Sequence, residues 1–161
     1  MKLTIGEIIV QPLTSRYLAD VKRIRDLSLP YLNSQQSYSL KETQEWFAKT
    51  TPKWYSILLG STFIGYIRTS NYNTENKSLY IGLDLDPDYI GNGYAYQVYM
   101  EFTQWLRREG YTKVFLQVQV SNFRAYNLYR KIGFTSIGIL EDYIVLPNLT
   151  SSDVILMHKK L

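Results

Sequence analysis

The sharpest constraint on the fold is a change of hydrophobic period between Leu79 and Leu106. Leu79 to Leu85 is apolar-rich and reads as a strand, stopped by Asp86-Pro87-Asp88. Beyond Gly91-Asn92-Gly93, the residues Ala95, Val98, Tyr99, Phe102, Trp105 and Leu106 recur at i, i+3, i+4, i+7, i+10 and i+11, the spacing of one helix face. Gly110 supplies a stop for that helix. A strand that feeds a helix through glycines turns successive backbone N–H groups outward. The helix start adds its unpaired donors and the positive end of its dipole, so the junction suits phosphate oxygens.

Two well-known phosphate turns do not fit. A dinucleotide-binding G-x-G-x-x-G needs a third glycine where Tyr96 stands, and Asp86 to Ile90 is too long for its tight turn. Gln117 and Gln119 lie where a ribose-binding acid is needed. A P-loop is excluded, because no Gly-Lys-Ser/Thr follows. On glycine geometry alone, an ordinary strand-to-helix turn remains open.

The flanking sequence supplies the other elements. Leu3 to Val10 reads as a first strand. From Thr14, Tyr17, Leu18, Val21, Ile24 and Leu27 recur at helical spacing until Pro30, and Ser39-Leu40-Lys41-Glu42 is a capping box opening a helix through Trp46 and Phe47. Trp54 to Leu59 and Thr62 to Thr69 form a hairpin about Gly60-Ser61, and Asn71 to Asn76 is a polar loop. Lys113 to Val120 is a strand. Ser121 or Asn122 caps a helix carrying Ala125, Leu128, Tyr129 and Ile132 and closed by Gly133. Thr135 to Leu140 and Asp153 to His158 are the last strands. The order β-α-α-β-β-β-α-β-α-β-β predicts an α/β fold with a mixed sheet rather than a doubly wound parallel one. With no repeat or linker, residues 1–161 read as one domain.

Composition removes several kinds of chemistry. Cysteine is absent, so disulfides, thiol catalysis and cysteine metal sites are excluded. A single histidine, His158, leaves little for a metal cage or a Ser-His-Asp triad, and no metal is expected. The net charge of +4 is spread out, the densest pairs being Arg107-Arg108 and Lys159-Lys160, which is unlike a nucleic-acid tract but suits a small polyanion. No run reaches the roughly 18 apolar residues of a membrane span. The N-terminus lacks a signal-peptide core, so a cytoplasmic location is expected.

Leu83-Asp84-Leu85-Asp86-Pro87-Asp88-Tyr89-Ile90-Gly91-Asn92-Gly93-Tyr94-Ala95 resembles the strand, turn and helix start of the GNAT-type N-acetyltransferases, whose turn reads Arg/Gln-x-x-Gly-x-Gly/Ala. Further on, Asn122-Phe123-Arg124-Ala125-Tyr126-Asn127-Leu128-Tyr129-Arg130-Lys131-Ile132-Gly133-Phe134 is similar to the family's second signature, Asn-x-x-Ala-x-x-Leu-Tyr-x-Lys-x-Gly-Phe. The specific motifs span Leu83 to Phe134, whereas the N-terminal third resembles the family in element order alone. The resemblance implies a mixed sheet of six to seven strands flanked by about four helices, with acetyl-CoA as co-substrate and an amine as acceptor. It implies that Leu83, Asp84 and Leu85 pair with the pantetheine arm on a splayed strand. The N–H groups of Gly91, Asn92, Gly93, Tyr94, Ala95 and Tyr96 would hold the pyrophosphate, and Asn122 would hydrogen-bond the pantetheine. Tyr129 would protonate the departing thiolate. Ile90 replaces the usual Arg or Gln, which leaves the phosphate site to backbone donors and either weakens CoA binding or calls on another basic residue.

The reaction implied is direct attack of an uncharged amine on the acetyl carbonyl through a tetrahedral intermediate. A backbone N–H near Leu85 is the expected oxyanion partner. For the base, Gln117 and Gln119 cannot serve, Asp84 is the candidate side chain and a water chain is the alternative. The acceptor reads as a primary amine of a small molecule, an amino sugar or nucleotide-linked amino sugar among them. Tyr31, Tyr38, Trp46, Phe47 and Trp54 are candidates to line its pocket, with core packing as the competing role. A protein or peptide N-terminus, and a non-catalytic acyl-CoA-binding module, are the alternatives. Either a monomer or a homodimer fits.

Overall fold

The computed structural model describes residues 1–50 and 53–161. The chain begins with a tight hairpin, β1 (Leu3–Ile5) and β2 (Ile8–Pro12), where the sequence suggests one strand. Gly6, at φ +58°, takes the left-handed conformation that turns the chain, so the apolar run is folded back on itself. Leu18–Ser28 is α1, preceded by a 3-10 turn at Ser15–Tyr17. Leu18, Val21 and Ile24 are buried as expected, but Leu27 is exposed. Pro30 does not end the segment abruptly; it lies in a further 3-10 turn, Leu29–Tyr31.

Helix α2 (Leu40–Thr50) starts from the expected capping box: Ser39 N donates to Glu42 Oε2 at 2.7 Å, and Glu42 N donates to Ser39 Oγ at 3.1 Å. Then come β3 (Trp54–Leu59), β4 (Thr62–Asn73) and β5 (Ser78–Leu85). Strand β4 runs into the segment expected to be a polar loop, and its pairing with β5 shifts between Ser70 and Asn73. α3 is Tyr94–Arg108, β6 Lys113–Gln119 and α4 Phe123–Ile132. Strands β7 (Thr135–Val145) and β8 (Ser151–Lys160) are longer than their apolar cores suggest, because a hairpin stem tolerates polar residues on its open face.

Among the described residues eight strands form one sheet, in the order β1-β2-β3-β4-β5-β6-β8-β7. The split first strand accounts for the extra one. Every neighbouring pair is antiparallel except β5 and β6. One core joins Val98, Tyr99, Phe102 and Leu106 of α3 and Ile132 of α4 to Ile57, Ile67, Leu79, Val114 and Leu116. A second joins Leu18, Val21 and Ile24 of α1 to Leu58, Phe63 and Tyr66. Strand residues alternate between these two clusters, so α3 and α4 cover one face and α1 the other.

Candidate active site at the splayed strands

The parallel pair β5 and β6 is joined over only Ser78–Tyr80 and Lys113–Phe115, where Tyr80 stacks on Phe115 at 5.3 Å. Beyond that point β5 continues with β4 as far as Leu85, and β6 continues with β8 as far as Gln119. The two strands therefore part in the middle of the sheet, leaving one edge of Ile81 to Leu85 without a strand partner. Asp86 N donates to Ile64 O of β4 at 2.9 Å. Since successive N–H groups point to opposite edges of a strand, the Leu85 N–H points into the gap.

A cavity of about 570 Å³ occupies this opening. Its walls carry residues from both faces of the sheet: Tyr80, Asp84 and Gln117 on the α1 side, Ile81, Leu85 and Val118 on the α3 side. The cavity thus passes through the sheet between β5 and β6.

At the α3 end lies the glycine turn. Gly91 and Gly93 have φ of +88° and +80°, values that favour glycine, and Gly93 caps α3 without a side-chain bond. The first α3 amide with a turn acceptor is Gln97, whose N donates to Gly93 O at 3.1 Å; among the described residues the N–H groups of Gly91 to Tyr96 have no protein acceptor. Six adjacent free donors at the positive end of a helix dipole form an anion seat. Gly91, Gly93, Tyr94, Ala95 and Tyr96 line the cavity with Ile90, whereas Asn92 does not. Ile90 leaves this seat without the usual Arg or Gln, but Arg124 of α4 lines the same cavity, and Lys131 Nζ sits 5.0 Å from the Tyr96 ring centre.

From α4 come Asn122 and Tyr129. Asn122 Oδ1 accepts from Ala125 N at 3.2 Å and so caps the helix, leaving its amide donors at the cavity wall. Tyr129 meets Tyr99 edge-on at 5.6 Å and Phe134 at 6.0 Å. Burial, partly opposed by the Tyr99 hydroxyl, raises the Tyr129 pKa, which keeps the phenol protonated at neutral pH.

Leu83, Asp84 and Leu85 all line the opening. Asp84 is buried, and its Oδ2 lies 3.0 Å from Arg68 Nε as an ion pair without the alignment of a hydrogen bond. The Arg68 pKa is raised: burial is the largest influence and opposes its charge, but Asp84 together with Tyr66, Tyr99 and Tyr129 outweighs it. Nothing in the sequence signals this pair, since position 68 lies in β4, across the sheet from the motif. The two glutamines of β6 also acquire a role there. Gln117 Oε1 accepts from Asn33 Nδ2 at 2.7 Å, and Gln119 Nε2 donates to Leu32 O at 2.9 Å, which pins the segment after α1 over the cavity mouth. Of the N-terminal aromatics, Tyr31 lines the cavity. Trp46, Trp54 and Tyr66 instead form a packed ladder, at 4.7 and 5.2 Å, and Phe47 joins the α1 core.

A strand pair opened around a glycine-capped helix is the architecture of an acyl-CoA-type transferase. The sequence model of the acetyltransferase (GNAT) family matches residues 19–134, and the chain belongs to that family. Among curated proteins it is 24% identical over 130 residues to the N-acetylaspartate synthetase of Danio rerio, covering 80% of this chain and 45% of that one. It is 27% identical over 82 residues to the [ribosomal protein bS18]-alanine N-acetyltransferase of Haemophilus ducreyi (strain 35000HP / ATCC 700724), covering 51% of this chain and 57% of that one. The chain thus spans about half the length of these relatives. Among solved structures, the spermidine N-acetyltransferase of Vibrio cholerae in complex with CoA and spermine superposes with a TM-score of 0.88 at 19% identity, over 96% of both chains. A ribosomal L7/L12 alpha-N-protein acetyltransferase in complex with coenzyme A gives 0.87 at 18% identity, over 100% of this chain and 98% of that one. At such identities the structures speak for the fold. Among the described residues no helix is long and apolar enough to cross a membrane, and no group of His, Asp or Glu is placed to hold a metal.

Proposed function

We propose that this chain transfers an acetyl group from acetyl-CoA to the amine of a small molecule. The observation that carries the reading is the cavity through the sheet, with free N–H donors of Gly91 to Tyr96 at one end and Tyr129 inside it. Family membership supports it. Backbone donors of the glycine turn hold the pyrophosphate, with Arg124 adding a positive charge in place of the Arg or Gln that Ile90 replaces. The open edge of Leu83 to Leu85 and the Asn122 amide bind the pantetheine. The Leu85 N–H stabilises the oxyanion as the amine nitrogen bonds to the acetyl carbon. When the carbon–sulfur bond breaks, the Tyr129 hydroxyl gives its proton to the thiolate. The amine's own proton passes to water, because the charge of Asp84 is committed to Arg68. N-terminal acetylation of a protein and CoA binding without turnover are the competing outcomes.

A thiol-release assay with acetyl-CoA against small amines, amino sugars and peptides tests the reading. Release on a small amine is expected; release on peptides alone, or on nothing despite CoA binding, overturns it. Tyr129→Phe is expected to lower kcat by about 10²-fold while acetyl-CoA affinity holds, the usual scale of positioned acid catalysis. A kcat unchanged across pH would remove Tyr129 from the acid role.

A further inference from the structure

The acceptor half of the cavity carries a charge that amine acetylation itself does not require. Asp84 is the sole carboxylate among the residues that line the cavity, and it is paired with Arg68. Arg68 uses Nε on that side only. Among the described residues no protein group accepts a hydrogen bond from its Nη atoms. The guanidinium lies across the bare backbone of Gly82, with Nη2 only 2.9 Å from where a Cβ would stand, so this glycine is its seat. A second guanidinium, Arg25, reaches the same cavity from α1. It stacks 5.4 Å from the Tyr38 ring centre, with Nη2 3.4 Å from Gln36 O, and no carboxylate pairs with it among the described residues. The nearby acids are occupied: Asp26 by Lys22 and Ser37, and Asp86 by Arg23 at 2.7 Å.

We propose that the acceptor is a small amine that also bears an oxyanion, a carboxylate or a phosphate, held by the free N–H groups of Arg68 and by Arg25. A polycationic amine would bring two or more positive charges to a wall that has no free carboxylate to receive them. An oxyanion, in contrast, matches the planar fork of a guanidinium and gains charge-assisted hydrogen bonds from it. The proposal rests on the acetyl-transfer reading of this site.

Titration calorimetry on the CoA-saturated protein tests it with aspartate, glucosamine 6-phosphate, a nucleotide-linked amino sugar, glucosamine and spermidine. At least one anionic amine is expected to bind about tenfold or more tighter than glucosamine and spermidine, less so at high salt. Comparing the carboxylate and phosphate arms tells which oxyanion is recognised. Arg25→Gln should weaken anionic binding by about tenfold with the affinity for CoA unmoved. Gly82→Ala, which pushes Arg68 off its seat and keeps the charge, should weaken it too, while Arg68 itself is left intact because its loss would strand Asp84. Spermidine or glucosamine binding as tightly as every anionic amine, no anionic amine binding at all, or Arg25→Gln binding like wild type would overturn the proposal. Thiol release read in parallel separates the two claims. Anionic binding without release defeats the transfer reading alone, and release with spermidine alone defeats the anionic acceptor alone.

Discussion

Asn122 shows how much a single side chain is asked to do. Its Oδ1 caps α4 through Ala125 N at 3.2 Å, while its amide donors stand at the cavity wall. Asn122→Asp keeps the acceptor and removes the donors, whereas Asn122→Ala removes both. The alanine variant is expected to lose about 1 kcal/mol of stability, a typical cap, in urea unfolding. The aspartate variant should unfold like wild type yet raise the acetyl-CoA KM several-fold. An unchanged KM in the aspartate variant would confine the residue to capping. Of the candidate site residues, those in the two motifs were legible because their spacing fixes which element carries them. Arg68 was not: its partnership with Asp84 depends on the β4–β5 register, in which Arg68 faces Gly82 and Tyr66 faces Asp84.

At the scale of elements, α2 has the weakest tertiary support. None of its residues is buried, and its main anchors are Trp46 on Trp54 and Phe47 against the α1 core. Its start therefore leans on the capping box, in which the backbone N–H and the hydroxyl of Ser39 lower the Glu42 pKa. Ser39→Ala should speed amide exchange in the first turn of α2 roughly fivefold with little change in the global unfolding midpoint. A fall in global stability would mean that α2 belongs to the cooperative core. The helices were readable from periodicity and caps, because both are local. The first hairpin was missed since its strands share one apolar run, and only Gly6 marks the reversal. The opening of β5 from β6 has no local signature, as strand pairing is a property of residues far apart in the chain.

At the scale of the whole molecule, acid weakens the fold through groups whose pKa the fold lowers. His158 lies in β8 between β6 and β7, and its pKa is lowered by burial first and then by Lys113 and Lys160. Asp26 is lowered too, by the Lys22 hydrogen bond above all. A folded-state pKa below the unfolded value means that the unfolded chain binds the proton more readily. The stability tied to His158 is thus fully present above its unfolded value of 6.5 and is lost as pH falls through the lower folded value. That of Asp26 goes at lower pH, below its ordinary 3.8. Urea unfolding should show stability falling below about pH 6.5, and His158→Gln should flatten the part of the fall above the carboxylate range. A wild-type slope in that variant would assign the fall to other groups.

Periodicity, caps and motif spacing act between residues close in the chain, so the helices, most strands, the glycine turn and the family could be read from the sequence alone. Only the tertiary structure decided that β5 and β6 part beyond Tyr80 and that the cavity crosses the sheet. It alone brought Arg25 and Arg68 to one cavity and committed Asp84 to an ion pair. The physical reason is that electrostatic partners are chosen by strand register and helix docking, and neither is encoded at any one place along the chain.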